Sequence, residues 1–248
     1  MTDSRLITVV IALKNDATGL RTTLASIAGQ EGAPRVGVLV VDANSRDAPV
    51  EVVEAFRSAL HIDFHASFDR GIYNAWNKAL EWVNTPWLTF FGAGDTFCPG
   101  AIAALVGRVA GDPPVDVVSS RSRNIFSLTR HVIGGEPFDY ERFKRHFSVN
   151  HSGLLYRHAL FGRFGNFDER YRSSGDYEFL IRVGQRLRFD FLDMIVSDYI
   201  VGGISSSSTM PLRETYQVRR AHRLTGRLDN LRQLARAYAA FYKAKLLS

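Results

Sequence analysis

Continuous apolar runs alternate with amphipathic segments along the first hundred residues. The runs at 6–13, 36–41 and 87–91 are almost wholly apolar and have the length of buried strands. Between them, apolar residues recur at helical spacing, most clearly from Ile72 to Val83, where one face of a helix would be buried. This alternation predicts an α/β fold with a mostly parallel sheet flanked by helices.

The pattern is less regular after residue 110. Residues 120–136 alternate only loosely, with an expected turn at Gly134 and Gly135. The remaining expected strands lie at 62–65, 115–119 and 194–201, and the remaining helices at 50–60, 101–109, 159–164 and from about Asp176.

The chain divides into a body and a tail. Its 248 residues suit one α/β domain, residues 1–205, with halves at 1–110 and 111–205. Residues 206–248 form the tail, which from position 213 carries nine Lys and Arg against two acidic residues, Glu214 and Asp229. The net charge of +6 therefore belongs to the tail, and the body is near neutral.

Apolar residues of the tail recur at helical spacing, with basic residues around them. Two interpretations stay open: a helix packed on the body with a solvated basic face, or an interfacial helix on an anionic membrane surface. The near-neutral body and the absence of an RNA or DNA motif argue against nucleic-acid binding. The apolar positions are Leu228, Leu231, Ala235, Tyr238, Phe241, Tyr242 and Leu246.

Composition narrows the cellular setting. No apolar run approaches the length of a membrane span, and the polar amino terminus predicts no signal peptide. The single cysteine, Cys98, excludes an internal disulfide and fits a reducing compartment. We therefore expect a cytoplasmic protein, with the tail as the segment that could reach the inner face of the membrane.

Two expected strands end on a carboxylate. Asp42 ends the run at 36–41, and Asp95 follows the run at 87–91 after the small residues 92–94. Ligands of open α/β sheets bind at the carboxyl ends of the strands, so both residues are candidates for phosphate or metal chemistry. Asp also caps helices and turns very often, and that interpretation stays open for Asp42.

Two motifs carry a resemblance to a known family. They are the run at 69–78 (D-R-G-I-Y-N-A-W-N-K) and the run at 92–95 (G-A-G-D). In order and spacing they resemble the family 2 glycosyltransferases of the GT-A fold, closest to the branch that builds bacterial surface polysaccharides. Further matching segments at 150–157, 167–171 and 202–205 extend the resemblance from the first strand to about Ser205.

The resemblance implies an inverting transfer of a sugar from a nucleotide-diphosphate sugar to a saccharide or lipid-linked saccharide, in cell-surface polysaccharide synthesis. It makes residues 1–110 the nucleotide-sugar half and 111–205 the acceptor half. It implies a donor pocket around Asp42, Asp69, Lys78, Gly94 and Asp95. A divalent metal ion, Mn or Mg, would clamp the diphosphate through Asp95.

The resemblance also implies Asp176 as the general base, at the start of a helix where it could equally serve as an N-cap. His151 and Arg172 are weaker candidates for contact with acceptor or phosphate, and His151 or His222 could complete a metal shell. The second carboxylate of the family's D-x-D pattern is missing before Asp95. An alternative is therefore a nucleotide-sugar-binding or scaffold protein of the same fold without catalysis.

Overall fold

The computed structural model describes residues 5–127, 129–201 and 208–246. Within these ranges the strands form one nine-stranded sheet in the order β3-β2-β1-β4-β8-β6-β9-β5, and β7 pairs with β6 alone. The strands are β1 (Ile7–Leu13), β2 (Val36–Asp42), β3 (His61–Ala66), β4 (Trp87–Gly92), β5 (Thr96–Phe97), β6 (Val117–Ser127), β7 (Arg130–Gly134), β8 (Leu155–Arg157) and β9 (Phe189–Ile200).

Strands β3, β2, β1 and β4 are mutually parallel. Every residue of β1 and β2 is buried, which explains their continuous apolar sequence, because a strand covered on both faces needs no polar side. Alternate residues of β1 face opposite layers: Val10 packs in one apolar cluster, and Val9 and Ile11 pack in the other. The parallel sheet expected from the sequence is confirmed.

Helices cover both faces of the sheet. On one face, α3 (Ile72–Trp82) and α7 (Gly175–Val183) pack together in the larger aromatic cluster. The opposite face carries α1, α2 and α4. The helices are α1 (Ala17–Ala28), α2 (Pro49–Phe56), α3 (Ile72–Trp82), α4 (Ala101–Val109), α5 (Tyr140–Phe143), α6 (Ala159–Phe164), α7 (Gly175–Val183), α8 (Met210–Ala221) and α9 (Arg227–Leu246).

The second half of the sheet differs from the sequence-based expectation. The strand expected at 115–119 is β6, which continues to Ser127 and forms an antiparallel hairpin with β7. The side chains of β7 are largely exposed, so an apolar pattern could not reveal it. The last strand begins at Phe189, five residues before its expected start, and the helix expected at 50–60 ends at Phe56.

The tail contains two described helices, where the sequence indicated one apolar stripe. Helix α8 packs against α7 through Val218, which is fully buried, and Asn230 at the start of α9 donates to the Tyr216 carbonyl oxygen at 3.2 Å. Farther along α9, Leu231 and Tyr242 of the predicted stripe are exposed. Within the described residues, no helix combines the length and apolar character needed to cross a bilayer.

Gly134, expected in a turn, is instead the last residue of β7, and the adjoining Gly135 lies at a point of close backbone approach to β6. Gly135 has φ +96°, and a Cβ there would lie 2.9 Å from the Cα of Arg121 and closer still to the Ser120 carbonyl oxygen. We expect Gly135→Ala to lower the free energy of unfolding by more than about 3 kcal/mol, because backbone strain and overpacking add. Urea denaturation followed by circular dichroism measures this change.

Gly111→Ala is the matched control. Gly111 also has positive φ, +74°, but a Cβ there would meet nothing within 4 Å. Its substitution should cost only the conformational strain, about 1 kcal/mol. Equal losses in the two variants would contradict the close approach of Gly135 to β6.

Candidate active site

Asp42 closes β2 and is 3% exposed. Its carboxylate accepts the backbone N–H of Ser45 at 3.0 Å and the Ser45 hydroxyl in a short hydrogen bond. Its backbone oxygen accepts from the N–H of Ser67 at 2.8 Å. Asp42 therefore caps the turn after its own strand and also fixes the start of the loop that follows β3.

That loop, residues 67–71, leads into α3 and is held by two predicted site residues. The Lys78 ammonium donates to the Ser67 hydroxyl at 2.8 Å and, in a short contact, to the Phe68 carbonyl oxygen. The Asp69 carboxylate accepts from the N–H of Gly71 at 3.0 Å. Lys78 thus lies at the end of the parallel strands, with its charge directed at the loop that also carries Asp69.

Asp95 follows β4 and is 6% exposed. Its Oδ2 accepts from the N–H of Gly92 at 3.2 Å and lies 3.5 Å from the Ser152 hydroxyl. Burial raises the pKa of this carboxyl to about 7. The neighbouring Gly94 is fixed through its N–H, which donates to the Thr23 hydroxyl of α1 at 3.0 Å.

Asp176 is the second residue of α7, and its carboxylate points toward two groups from other elements. The Tyr73 hydroxyl of α3 donates to Oδ1 at 2.9 Å, and the His151 Nδ1 lies 3.7 Å from Oδ2. Oδ1 also accepts from the N–H of Tyr177 at 2.9 Å. Burial, together with the charge of Asp176, raises the pKa of Tyr73 well above its usual value, so the phenol stays a hydrogen-bond donor.

His151 lies beside Asp176, with its Nδ1 3.7 Å from Oδ2. Its ring stacks on Trp76, with centroids 4.7 Å apart and planes 15° apart. Burial lowers the pKa of the imidazole, so the ring is neutral at neutral pH. Its Nε2 is buried and has no hydrogen-bond partner among the described residues. Since the next residue, Ser152, contacts Asp95, positions 151 and 152 join the surroundings of Asp176 to those of Asp95.

The strand registers place the other carboxylates at the same edge of the sheet. Leu13 of β1 pairs with Asp42, and Ala12 pairs with Gly92, so β2 and β4 end at nearly the same level on either side of β1. Neighbouring strands are about 4.8 Å apart, which puts the ends of β2 and β4 about 10 Å from each other. The structure thus places Asp42, Asp95 and the loop with Asp69 along one rim.

Arg172 lies on the same side, in the turn before α7. Its guanidinium contacts the Arg70 carbonyl oxygen, next to Gly71 of the α3 loop. Its backbone N–H donates to Glu214 of α8 at 2.8 Å. Arg172 therefore links the turn before α7 to the loop before α3.

Sequence reasoning missed four residues around this site. Glu169 accepts from the side-chain amides of Asn74 and Asn77, both at 3.0 Å, and these bonds hold its pKa below the usual value. The other three are Tyr73, Ser152 and Glu214. Tyr73, Ser152 and Glu169 lie within the matched motifs, and that position was the sequence signal that could have identified them. Glu214 lies outside the motifs, and the sequence analysis considered only its charge.

The donor atoms near Asp95 determine whether a metal ion fits at this position. Among the described residues, no three His, Cys, Asp or Glu side chains are grouped as metal ligands. His222 Nε2 lies 3.1 Å from the carboxylate oxygen Oε1 of Glu178 and so has a partner in α7. Asp95 nevertheless fits a cation: its carboxylate is buried, it forms no ion pair in the described part of the chain, and a positive charge would offset the cost of its burial.

A family model covers most of the part of the chain that forms this rim. A model of the family described as "Glycosyl transferase family 2" matches residues 8–171, which includes Asp42, Asp69 and Asp95. A PGL/p-HBAD biosynthesis glycosyltransferase of Mycobacterium tuberculosis is 29% identical over 210 residues, covering 82% of this chain and 80% of the relative.

Solved structures share the architecture. TarS of S. aureus in complex with UDP-GlcNAc superposes with a TM-score of 0.74 at 19% identity, over 93% of this chain and 71% of the other. The mannosyltransferase PcManGT of Pyrobaculum calidifontis, in complex with GDP-Man and Mn2+, has a TM-score of 0.66 at 18% identity, over 98% and 75%. Because the family model spans well over half of the chain, the protein belongs to glycosyl transferase family 2, with the GT-A fold of these neighbours.

Proposed function

We propose that the protein is an inverting glycosyltransferase that moves a sugar from a nucleotide-diphosphate sugar to a saccharide or lipid-linked saccharide. The observation that carries the proposal is the junction at residues 151 and 152. There the surroundings of Asp95 and of Asp176 meet, so a group for the leaving diphosphate and a group for the incoming hydroxyl share one rim. Such a transfer needs both groups at one centre.

The donor would lie along the ends of the parallel strands. Asp42, Asp69 and Lys78 line the part of the rim formed by β2, β3 and the α3 loop, and Gly94, held by Thr23, precedes Asp95. UDP-GlcNAc and GDP-Man in the two structural neighbours support a nucleotide-diphosphate donor. A divalent ion bound at Asp95 would neutralise charge on the diphosphate, with phosphate oxygens as further ligands.

Asp176 would accept the proton of the acceptor hydroxyl. Tyr73 bonds to Oδ1, which leaves Oδ2 as the oxygen nearer to the neutral His151 ring and directed into the junction. The deprotonating hydroxyl would then attack the anomeric carbon opposite the leaving diphosphate, which inverts that carbon. The transition state would carry oxocarbenium character, as in glycoside hydrolysis.

The acceptor half and the tail set the biological role in this proposal. We infer that the protein acts in the synthesis of a cell-surface saccharide. The M. tuberculosis relative, a PGL/p-HBAD biosynthesis glycosyltransferase, supports a glycoconjugate product. The exposed Leu231 and Tyr242 of α9, with Arg232 and Arg236 around them, suit the interfacial interpretation better than a helix packed on the body through its apolar stripe.

Asp176→Asn tests the base. The amide oxygen can still accept from Tyr73 and Tyr177, so the fold should persist, but the residue can no longer take a proton. We expect kcat to fall about 10²- to 10⁴-fold with donor affinity nearly unchanged. Nucleoside diphosphate release from a panel of UDP- and GDP-sugars, with saccharide acceptors, measures this. Full activity of the variant would refute the assignment, and donor binding without turnover in the unsubstituted protein would favour the non-catalytic alternative.

Asp95→Asn tests the metal-assisted donor site. We expect UDP or GDP with Mn2+ to raise the melting temperature of the unsubstituted protein, because a ligand that binds only the folded state stabilises it. The Mn2+-dependent part of that shift should vanish in the variant. Asp193→Asn, at an exposed carboxylate, should keep it. A shift of the same size in Asp95→Asn and in the unsubstituted protein would contradict the assignment.

The double substitution Arg232→Glu/Arg236→Glu tests the membrane surface. Each basic residue near an anionic surface contributes about 1 kcal/mol, so binding to phosphatidylglycerol vesicles should fall more than roughly 25-fold. Arg21→Glu/Arg163→Glu, on exposed positions of the body, should change it little. Vesicle co-sedimentation at low and high salt measures both pairs. Equal losses in the two pairs would show attraction by net charge alone.

A further inference from the structure

Glu214, an acidic residue of the basic tail, reaches the start of α7. Its Oε1 accepts from the N–H of Arg172 at 2.8 Å, and its Oε2 accepts from the N–H groups of Ser173 at 2.8 Å and Ser174 at 2.9 Å. The residue is only 7% exposed. One buried carboxylate of α8 thus holds three consecutive amides of another element.

Only one of these amides belongs to the helix start. Ser174 is the N-cap residue of α7 and its side chain makes no capping bond, whereas Arg172 and Ser173 lie in the turn before it. A carboxylate is the strongest acceptor the chain offers for these N–H groups, and its negative charge is favourable at the positive end of the helix. Glu214 therefore ties α8 to the turn that leads into α7.

Later residues of α8 also contact α7. Val218 is fully buried against α7, and His222 contacts Glu178 Oε1 at 3.1 Å. Residues 214, 218 and 222 are spaced by four, so they form one face of α8. Glu214 and His222 lie at opposite ends of that face, one at the turn before α7 and the other at its second turn.

Asp176 is two residues beyond the last amide that Glu214 holds. Its carboxylate contacts Tyr73 of α3 at 2.9 Å and lies 3.7 Å from His151 of the junction. A shift of the 172–174 turn would move Asp176 relative to these partners. A displacement of about 1 Å in a reacting group can cost about a hundredfold in rate.

We propose that Glu214 is a positioning residue for the transfer reaction, which fixes the start of α7 so that Asp176 meets the acceptor hydroxyl. The inference rests on the proposed role of Asp176 as the base. It brings the first helix of the tail into the catalytic unit. The sequence had placed that helix outside the body.

Glu214→Gln is the test. The side-chain amide keeps the size of Glu214 but has one acceptor oxygen and a donor group, so it cannot serve all three amides. We expect kcat to fall about 10- to 100-fold while KM for UDP-GlcNAc or GDP-mannose, whichever is the better donor, stays within about threefold. Glu214→Asp keeps the charge with a shorter reach and should recover part of kcat.

His222→Gln is the matched control, because it alters a side-chain contact between the same two helices and leaves the N–H groups of the 172–174 turn bonded to Glu214. It should lower the melting temperature comparably and leave kcat within about twofold. A normal kcat in Glu214→Gln, or equal kcat losses in Glu214→Gln and His222→Gln, would overturn the inference. If Glu214→Gln does not fold, a normal kcat in Glu214→Asp would overturn the inference.

Asp176→Asn, assayed alongside, separates the two proposals. If that variant is inactive and Glu214→Gln is normal, only the positioning role of Glu214 is wrong. If Asp176→Asn itself is fully active, the proposed base is wrong and the inference about Glu214 fails with it.

Discussion

The register of three parallel strands is the constraint on which the site depends. Because β2 and β4 flank β1 and end at nearly the same level, Asp42 and the Gly92–Asp95 turn lie at one edge. Both faces of β1 and β2 are packed, so a slip of one residue would move every side chain into the opposite apolar cluster and lose its present packing. The packing of the core therefore determines where the carboxylates lie.

The second half of the body, residues 111–205, reaches this edge through hydrogen bonds as well as through the core. Glu169 binds Asn74 and Asn77 of α3, and Tyr73 of the same helix binds Asp176 of α7. Helix α3 thus carries the contacts that align the two halves. One side of the helix packs in the aromatic cluster, and its amino-terminal end supplies these polar contacts.

The sequence predicted those parts of the fold that burial dictates. The helices expected at 101–109 and 159–164 have the same bounds in the structure, because their apolar residues recur at regular helical spacing. The β6–β7 hairpin was not expected, since its exposed side chains carry no such pattern. Site candidates came from motifs, but a motif does not encode non-local contacts. The bonds of Glu214 to a turn 40 residues earlier could not be read from spacing.

The contacts of α8 also define where the enzyme can be shortened. A truncation after residue 205 would follow the motif boundary, yet it would remove Glu214 and Val218 and leave three amides and an apolar surface of α7 open to water. The smallest intact unit therefore extends at least through Leu224, because His222 contacts Glu178 of α7 and Leu224 packs against the aromatic cluster. Deleting α9, which begins at Arg227, would keep these contacts with α7 and would remove the bond from Asn230 to Tyr216 of α8.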